Sequence, residues 1–188
     1  MNIVTERLIL RTFKVQDLND VFEYCSQDGV GEMAGWPAHK SIEQSAKILS
    51  KWIQQNKKLA IVWQESGKVI GHISIDEDSE EGREDTRELG FALNCDYHRR
   101  GIMSEAIHTV LDYLFNQDIF YVWACCIQEN IPSKGLIEKC GFVLQQEGTY
   151  YSEGLQKNIL LMNIGFQKKS GKNELIKPPV FFGLVVEN

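Results

Sequence analysis

The stretch Tyr97-His98-Arg99-Arg100-Gly101-Ile102-Met103-Ser104-Glu105-Ala106 concentrates chemical potential, because it joins an expected strand to an expected helix with glycine at the bend. A helix start carries unpaired N–H groups and the positive end of the macrodipole, so it holds a diphosphate without any metal. Gly101 lets such an anion approach the backbone, and Arg99 and Arg100 add charge. The same residues also suit a plain helix start with two solvated arginines. Asn130 and Ser133 flank Pro132 where side chains cap a helix, and capping alone would account for both. Of the five cysteines (Cys25, Cys95, Cys125, Cys126 and Cys140), none shows paired metal-ligand spacing. Cys125 and Cys126 stand in an apolar run with no histidine beside them, so a structural thiol is favoured over a covalent nucleophile. No metal site is expected.

Hydrophobic period places the elements that must position these residues. Residues 3–12 are rich in branched side chains and predict a first strand. Asp17 opens a helix with Leu18, Val21, Phe22 and Cys25 on one face. A loop with Gly29, Gly31, Gly35 and Pro37 follows. Ser41 with Gln44 is a capping-box pattern before a second helix that buries Ile42, Ala46, Leu49, Trp52 and Ile53. Residues 59–64 and 68–76 read as a hairpin turning at Ser66 and Gly67. A strand is expected over 88–94, then a helix from Gly101 with Met103, Ile107, Val110, Leu111 and Leu114 as its apolar stripe. The unbroken apolar run 120–127 suits a central strand covered on both faces. Pro132 opens a further helix that Gly141 stops, and 142–146 with 157–164 close the fold as a strand pair.

The chain has 188 residues, 43% hydrophobic and 24% charged, the balance of one soluble domain. A net charge of −6 gives no general attraction to nucleic acid or anionic membrane and favours a cationic partner. No apolar run approaches the roughly 20 residues that span a bilayer. With no signal peptide at its start, the odd number of cysteines reads as reduced thiols in a cytoplasmic protein. The connection 76–88 holds eight acidic residues against Arg83 and Arg87, either a solvated loop or a rim that attracts a cation. Residues 1–165 are expected to form the domain and 166–188 a C-terminal extension. In the extension, 166–177 is polar and lysine-rich and 178–186 strongly apolar. Val180, Phe181, Phe182 and Leu184 are expected to bury against the domain or, preferably, a second copy, which would make a homodimer.

Four segments in order carry a family resemblance. "YHRRGIMSEA" resembles the acetyl-CoA loop of GNAT-superfamily N-acetyltransferases, Gln/Arg-x-x-Gly-x-Gly/Ala, with Gly101 in place and His98 and Met103 departing from the end positions. "TERLILR" (residues 5–11) is similar to the opening strand of the ribosomal-protein N-acetyltransferase, RimJ/RimL-like, branch. "ELGFAL" (88–93) resembles the strand before the loop, and "ENIPSKGLIEKCGF" (129–142) that branch's Asn-x-x-Ser-x-x-x-x-Glu-Lys-x-Gly-Phe signature. The resemblance implies a mixed α/β (α+β) fold, a strongly twisted sheet of six or seven strands flanked by about four helices. Acetyl-CoA would enter where two parallel central strands splay apart. Its pantetheine arm would pair with the backbone of Phe91, Ala92 and Leu93 and hydrogen-bond Asn130. Its diphosphate would lie on His98, Arg99, Arg100, Gly101, Ile102, Met103 and Ser104.

The resemblance also implies the chemistry. A neutral amine attacks the thioester, the Leu93 N–H serves the developing oxyanion, and Ser133 protonates the departing thiolate. Many such enzymes use a tyrosine four residues later, where this chain has Ile137. Glu88 is the first candidate for general base, with Glu153, His72 or a water relay as weaker alternatives. Glu88 could also be a strand-end carboxylate with no catalytic role. Trp36 would line the apolar side of the acceptor site, with ordinary packing as its alternative. The acceptor itself, a protein N-terminus or a small cationic amine, is not written in these residues. A module that binds acyl-CoA without turnover is the competing function, and a thiol-release assay separates the two. A third possibility is an unrelated anion-binding protein that merely shares a strand–loop–helix.

Overall fold

The computed structural model describes residues 2–79 and 82–167. Among the described residues eight strands form one sheet in the order β1-β2-β3-β4-β5-β6-β8-β7, and only the β5–β6 pair is parallel. The strands are β1 (Asn2–Val4), β2 (Leu8–Thr12), β3 (Lys58–Trp63), β4 (Lys68–Glu77), β5 (Thr86–Leu93), β6 (Tyr121–Ile127), β7 (Val143–Ser152) and β8 (Lys157–Gln167). The helices are α1 (Leu18–Cys25), α2 (Ile42–Gln55), α3 (Ile102–Phe115) and α4 (Ile131–Lys139), with single 3₁₀ turns at Val15–Asp17, Glu32–Ala34 and Cys95–Tyr97. The mixed α/β class and the four helices match expectation; the strand count does not.

The extra strand comes from residues 3–12, which fold as a hairpin rather than one strand. Thr5 closes the turn: its N–H donates to the Leu8 carbonyl at 2.9 Å, and its Oγ1 accepts the Leu8 N–H at 2.9 Å. A Ser/Thr side chain that mimics a backbone turn in this way needs no glycine or proline. The hairpin at Gly67 forms as expected, with φ +72° there and β3 paired to β4 across it. At the start of α2, Ser41 Oγ accepts the Gln44 N–H at 3.3 Å. Gln44 Oε1 takes the Lys40 N–H, one residue earlier than a capping box requires.

Two apolar layers hold the sheet. On one face Leu59, Ile61, Ile73, Leu89 and Leu93 pack with Ile102, Met103, Ile107 and Val110 of α3 and Ile137 of α4. On the other, Ala60, Val62 and Ala92 pack with Val21, Tyr24 and Cys25 of α1 and Leu49 and Trp52 of α2. Side chains on β5 therefore alternate: Leu89, Phe91 and Leu93 look toward α3, while Glu88 and Ala92, with Gly90 between them, lie on the α1/α2 face. The apolar tail containing Val180, Phe181, Phe182 and Leu184 lies outside the described residues.

Candidate active site

The sheet opens at its one parallel seam. The β5–β6 register runs from Thr86 opposite Tyr121 to Leu89 opposite Ala124 and stops, although β5 continues to Leu93 and β6 to Ile127. On its other side β5 stays paired to β4 as far as Leu93 opposite Gly71. The next pair in that register is made by Asn94, whose N–H donates to Ile70 O at 2.8 Å. Antiparallel ladders alternate, so the N–H and C=O groups of Leu93 and Phe91 point away from β4, into the opening, while those of Ala92 point to β4. Ala92 thus turns its backbone polar groups to β4 rather than to the opening. Open strand edges of this kind are where an extended ligand adds as another strand.

The loop that follows is anchored to this edge. His98 donates from Nε2 to the Leu93 carbonyl at 3.0 Å, since a carbonyl can only accept. Arg99 (φ +57°) and Gly101 (φ +73°) are both left-handed, and Gly101 stands at the N-cap position of α3, where no side chain caps the helix. Successive N–H groups in such a turn converge into an anion-binding concavity, continued by the free amides of the first turn of α3. Ile102 and Met103 are buried in the core, so backbone amides are what they can offer a ligand. Ser104 is half-buried, with its Oγ 3.5 Å from His108 Nδ1 and from Cys140 Sγ. The Arg100 guanidinium lies over Trp63 and Tyr97, 5.1 and 5.2 Å from the ring centroids, which parks it beside the loop. The space above Gly101 is open: a Cβ built there would meet only Arg7 Nη2, at 3.7 Å. These features fit a diphosphate.

A polar stripe crosses the α1/α2 face just below the opening. Lys58 of β3 stands opposite Ser74 of β4, Ser74 opposite Gly90 of β5, Asp76 opposite Glu88, and Glu88 opposite Trp123 of β6. Burial pulls the Lys58 ammonium down, against the upward pull of Asp76, Glu88 and Cys25. Glu88 is half-buried and accepts Ser79 Oγ at 3.2 Å. His72 is fully enclosed, 3.0 Å from Tyr24 Oη through Nδ1 and 4.9 Å from the Trp52 ring. Burial first, then nearby Lys58 and His39, holds its pKa well below the usual histidine value, so it stays neutral. Cys25 is pushed up to about 12, chiefly by burial, which leaves it a protonated structural thiol.

Loops wall the mouth. The Glu32–Ala34 turn contacts both β5 and β6. Asn130 caps α4 by accepting the Ser133 N–H at 3.1 Å, and its Nδ2 donates to Met33 O at 3.0 Å, tying α4 to that turn. Ser133 itself is half-buried in the first turn of α4. Trp36 is half-buried, its ring 5.4 Å from His39. The β7–β8 tip docks on the same loop: Ser152 Oγ donates to Gly35 O at 2.8 Å, beside exposed Glu153. The acidic connection lies at the Thr86 end of β5, away from Leu93. Its charges are partly used internally, with Asp78 accepting the Arg83 N–H and Asp85 the Arg83 guanidinium. A separate groove of about 350 Å³, lined by Lys57, Arg87 and Tyr113, sits on the α3 side and shares no residue with this site.

The residues expected from sequence fall into two groups. Phe91, Leu93 and 98–104 gather along the opening and its loop, and Asn130, Ser133 and Trp36 border its mouth. Glu88 stands lower, on the α1/α2 face. Sequence reasoning missed Lys58 and Asp76, although His72, Ser74 and Asp76 alternate with isoleucines at period two and so mark a polar stripe. It also missed Arg7, which ties the first hairpin to the anion loop, with Nε 2.7 Å from Glu105 Oε2 and Nη1 2.9 Å from Arg100 O. Among the described residues no group of three or more His, Cys, Asp and Glu side chains could hold a metal, and no helix is long and apolar enough to cross a membrane.

Comparison with known proteins gives one answer. Residues 7–143 match the model of the acetyltransferase (GNAT) domain family. The uncharacterized N-acetyltransferase YnaD of Bacillus subtilis (strain 168) is 31% identical over 156 residues, covering 80% of this chain and 86% of YnaD. A GNAT-family acetyltransferase from Bacillus anthracis superposes with TM-score 0.78 at 23% identity, over 89% of this chain and 98% of that one. The ribosomal-protein-S5-alanine acetyltransferase of Vibrio fischeri superposes with TM-score 0.65 at 21% identity, over 87% and 95%. At these identities the structural likeness speaks for the fold alone.

Proposed function

Because the chain belongs to the GNAT acetyltransferase family, we propose that it transfers the acetyl group of acetyl-CoA to a primary amine, a protein N-terminus or a small cationic amine, by direct attack in a ternary complex. The observation that carries this reading is the seam itself. The β5–β6 ladder stops at Leu89, and the polar edge of Phe91 and Leu93 leads straight into an uncapped helix start at Gly101. Acetyl-CoA supplies the activated acyl group as a thioester. The chain's own residues supply position and proton traffic.

The pantetheine arm lies along Phe91 and Leu93, and the diphosphate on the N–H groups of 99–104, with His98 bracing the loop through Leu93 O. The Leu93 N–H, facing the opening, donates to the acyl oxygen as charge develops there. Glu88 takes the proton of the incoming amine. It shares its face with Asp76, so a cationic acceptor is drawn in, and Lys58 beside them balances the charge. Ser133, in the first turn of α4, gives a proton to the departing sulfur. Trp36 and the Glu32–Ala34 turn form the apolar wall of the acceptor side. The five free thiols support a reducing, cytoplasmic setting.

The test is a thiol-release assay with acetyl-CoA over a panel of amines and N-terminal peptides, with acetylated product confirmed by mass spectrometry. Stabilisation by acetyl-CoA with no coenzyme A thiol released in the presence of any acceptor would refute transfer and leave a binding module.

A further inference from the structure

We propose that Arg7 is a positioning residue for the coenzyme A diphosphate, acting through Glu105 and the Arg100 carbonyl; this rests on the loop reading above. Glu105 stands in the first turn of α3, with 20% of its side chain exposed. A carboxylate there suits the helix dipole but opposes any anion brought to the same amides. Arg7 answers it with a two-point contact, Nε and Nη2 each 2.7 Å from Glu105 Oε2, while Thr5 Oγ1 and the Arg7 N–H donate to Oε1. The carboxylate is thereby satisfied from the side facing the hairpin. Burial alone would raise its pKa, but these donors hold it below the ordinary glutamate range, so it remains charged and needs its partner.

The third arm of the guanidinium does different work. Nη1 donates to Arg100 O at 2.9 Å, across 93 residues of sequence. A trans peptide holds its C=O and the next N–H antiparallel, so pinning the Arg100 carbonyl toward Arg7 turns the Gly101 N–H the opposite way. That peptide joins Arg100 to Gly101, and glycine tolerates φ of either sign, so its orientation needs an outside contact to fix it. One arginine therefore neutralises the carboxylate under the loop and fixes the orientation of an amide within it.

The experiment uses the full chain, with coenzyme A binding by calorimetry and separate KM values for acetyl-CoA and for an acceptor amine. Removing the neutralising charge close to a dianion is expected to raise the coenzyme A Kd of Arg7→Ala by on the order of ten-fold. Its KM for acetyl-CoA should rise in step, while its kcat and its KM for the amine hold. Adding Glu105→Gln to Arg7→Ala should recover part of the loss, which a merely structural role for Arg7 would not produce. Arg7→Lys, which can neutralise Glu105 but not also reach Arg100, should bind between wild type and Arg7→Ala; if Arg7→Ala does not fold, weakened binding by Arg7→Lys at unchanged kcat is the expected result. An unchanged Kd in either single variant, or no recovery in the double variant, overturns the proposal. Gly101→Ala separates the two levels. If it binds coenzyme A normally the loop reading fails, and if it loses binding while Arg7→Ala does not, only the role of Arg7 fails.

Discussion

Gly101→Ala tests the anion loop against a built-in control. Gly101 sits at φ +73° and Gly67, in the β3–β4 turn, at φ +72°, so alanine meets nearly the same backbone strain at each. Neither added Cβ clashes: nothing lies within 4 Å of it at Gly67, and only Arg7 Nη2, at 3.7 Å, at Gly101. A left-handed L-residue costs roughly 1–2 kcal/mol. For a chain of this size that is a fall of about 2–8 °C in Tm, expected equally for both variants. Ligand binding breaks the symmetry. Acetyl-CoA at a hundred times its Kd adds about 2.7 kcal/mol to stability. That raises Tm by about 5–10 °C, and Gly67→Ala should show the full rise. In Gly101→Ala the methyl group occupies the space through which a phosphate oxygen reaches the helix amides, and the rise should largely vanish at the same ligand concentration. The assay is thermal unfolding of both variants with and without acetyl-CoA. Equal rises in the two would show that the diphosphate is held elsewhere.

Three further outcomes follow from the site. Glu88→Gln should lower kcat by about 10²–10⁴-fold and abolish the acid limb of the pH–rate profile while leaving the acetyl-CoA Kd unchanged; a retained acid limb would assign the base elsewhere. Ser133→Ala should lower kcat more than it weakens coenzyme A binding, because the Ser133 N–H that Asn130 caps is kept; an unchanged kcat would reduce Ser133 to a helix-start residue. His72 and His39 both have depressed pKa values, burial being the first cause, so the unfolded chain binds their protons first as pH falls. Stability is full above the unfolded histidine pKa, near 6.5, and declines below it by up to about 1.4 kcal/mol per pH unit per histidine. His72→Asn should remove one histidine's share of that slope in urea melts between pH 5 and 7, and an unaltered slope would mean His72 titrates normally.

The fold was legible wherever a local signal fixed an element. Gly67 between two apolar runs announced the β3–β4 hairpin, the unbroken run at 120–127 announced a strand buried on both faces, and Gly101 with Gly141 bounded α3 and α4. It failed at Thr5, Glu6 and Arg7, which carry no glycine or proline. That turn is made by a threonine hydroxyl and held by a carboxylate 100 residues away, at Glu105. A periodicity argument sees only neighbours, so a turn specified by tertiary hydrogen bonds reads as continuous strand. The same limit hid the link between the hairpin and the loop before α3: Arg7 stands in a segment that resembles the family's opening strand, but its contacts to Glu105 and Arg100 come only with the fold.

The choice of base shows how structure adds to spacing. Glu88 and His72 lie on adjacent strands and project toward the same helices, so alternation alone ranks them equally. Their surroundings do not. His72 is sealed beneath Trp52, bonded to Tyr24 and held neutral by burial with a cation nearby, so taking up a proton there would put a second positive charge beside Lys58. Glu88 is half-buried and adjoins Asp76 across the β4–β5 pair, with Lys58 close enough to feel both carboxylates. Proton uptake is therefore opposed at His72, and half-buried Glu88, the one of the two that is not sealed in the core, is the base proposed above.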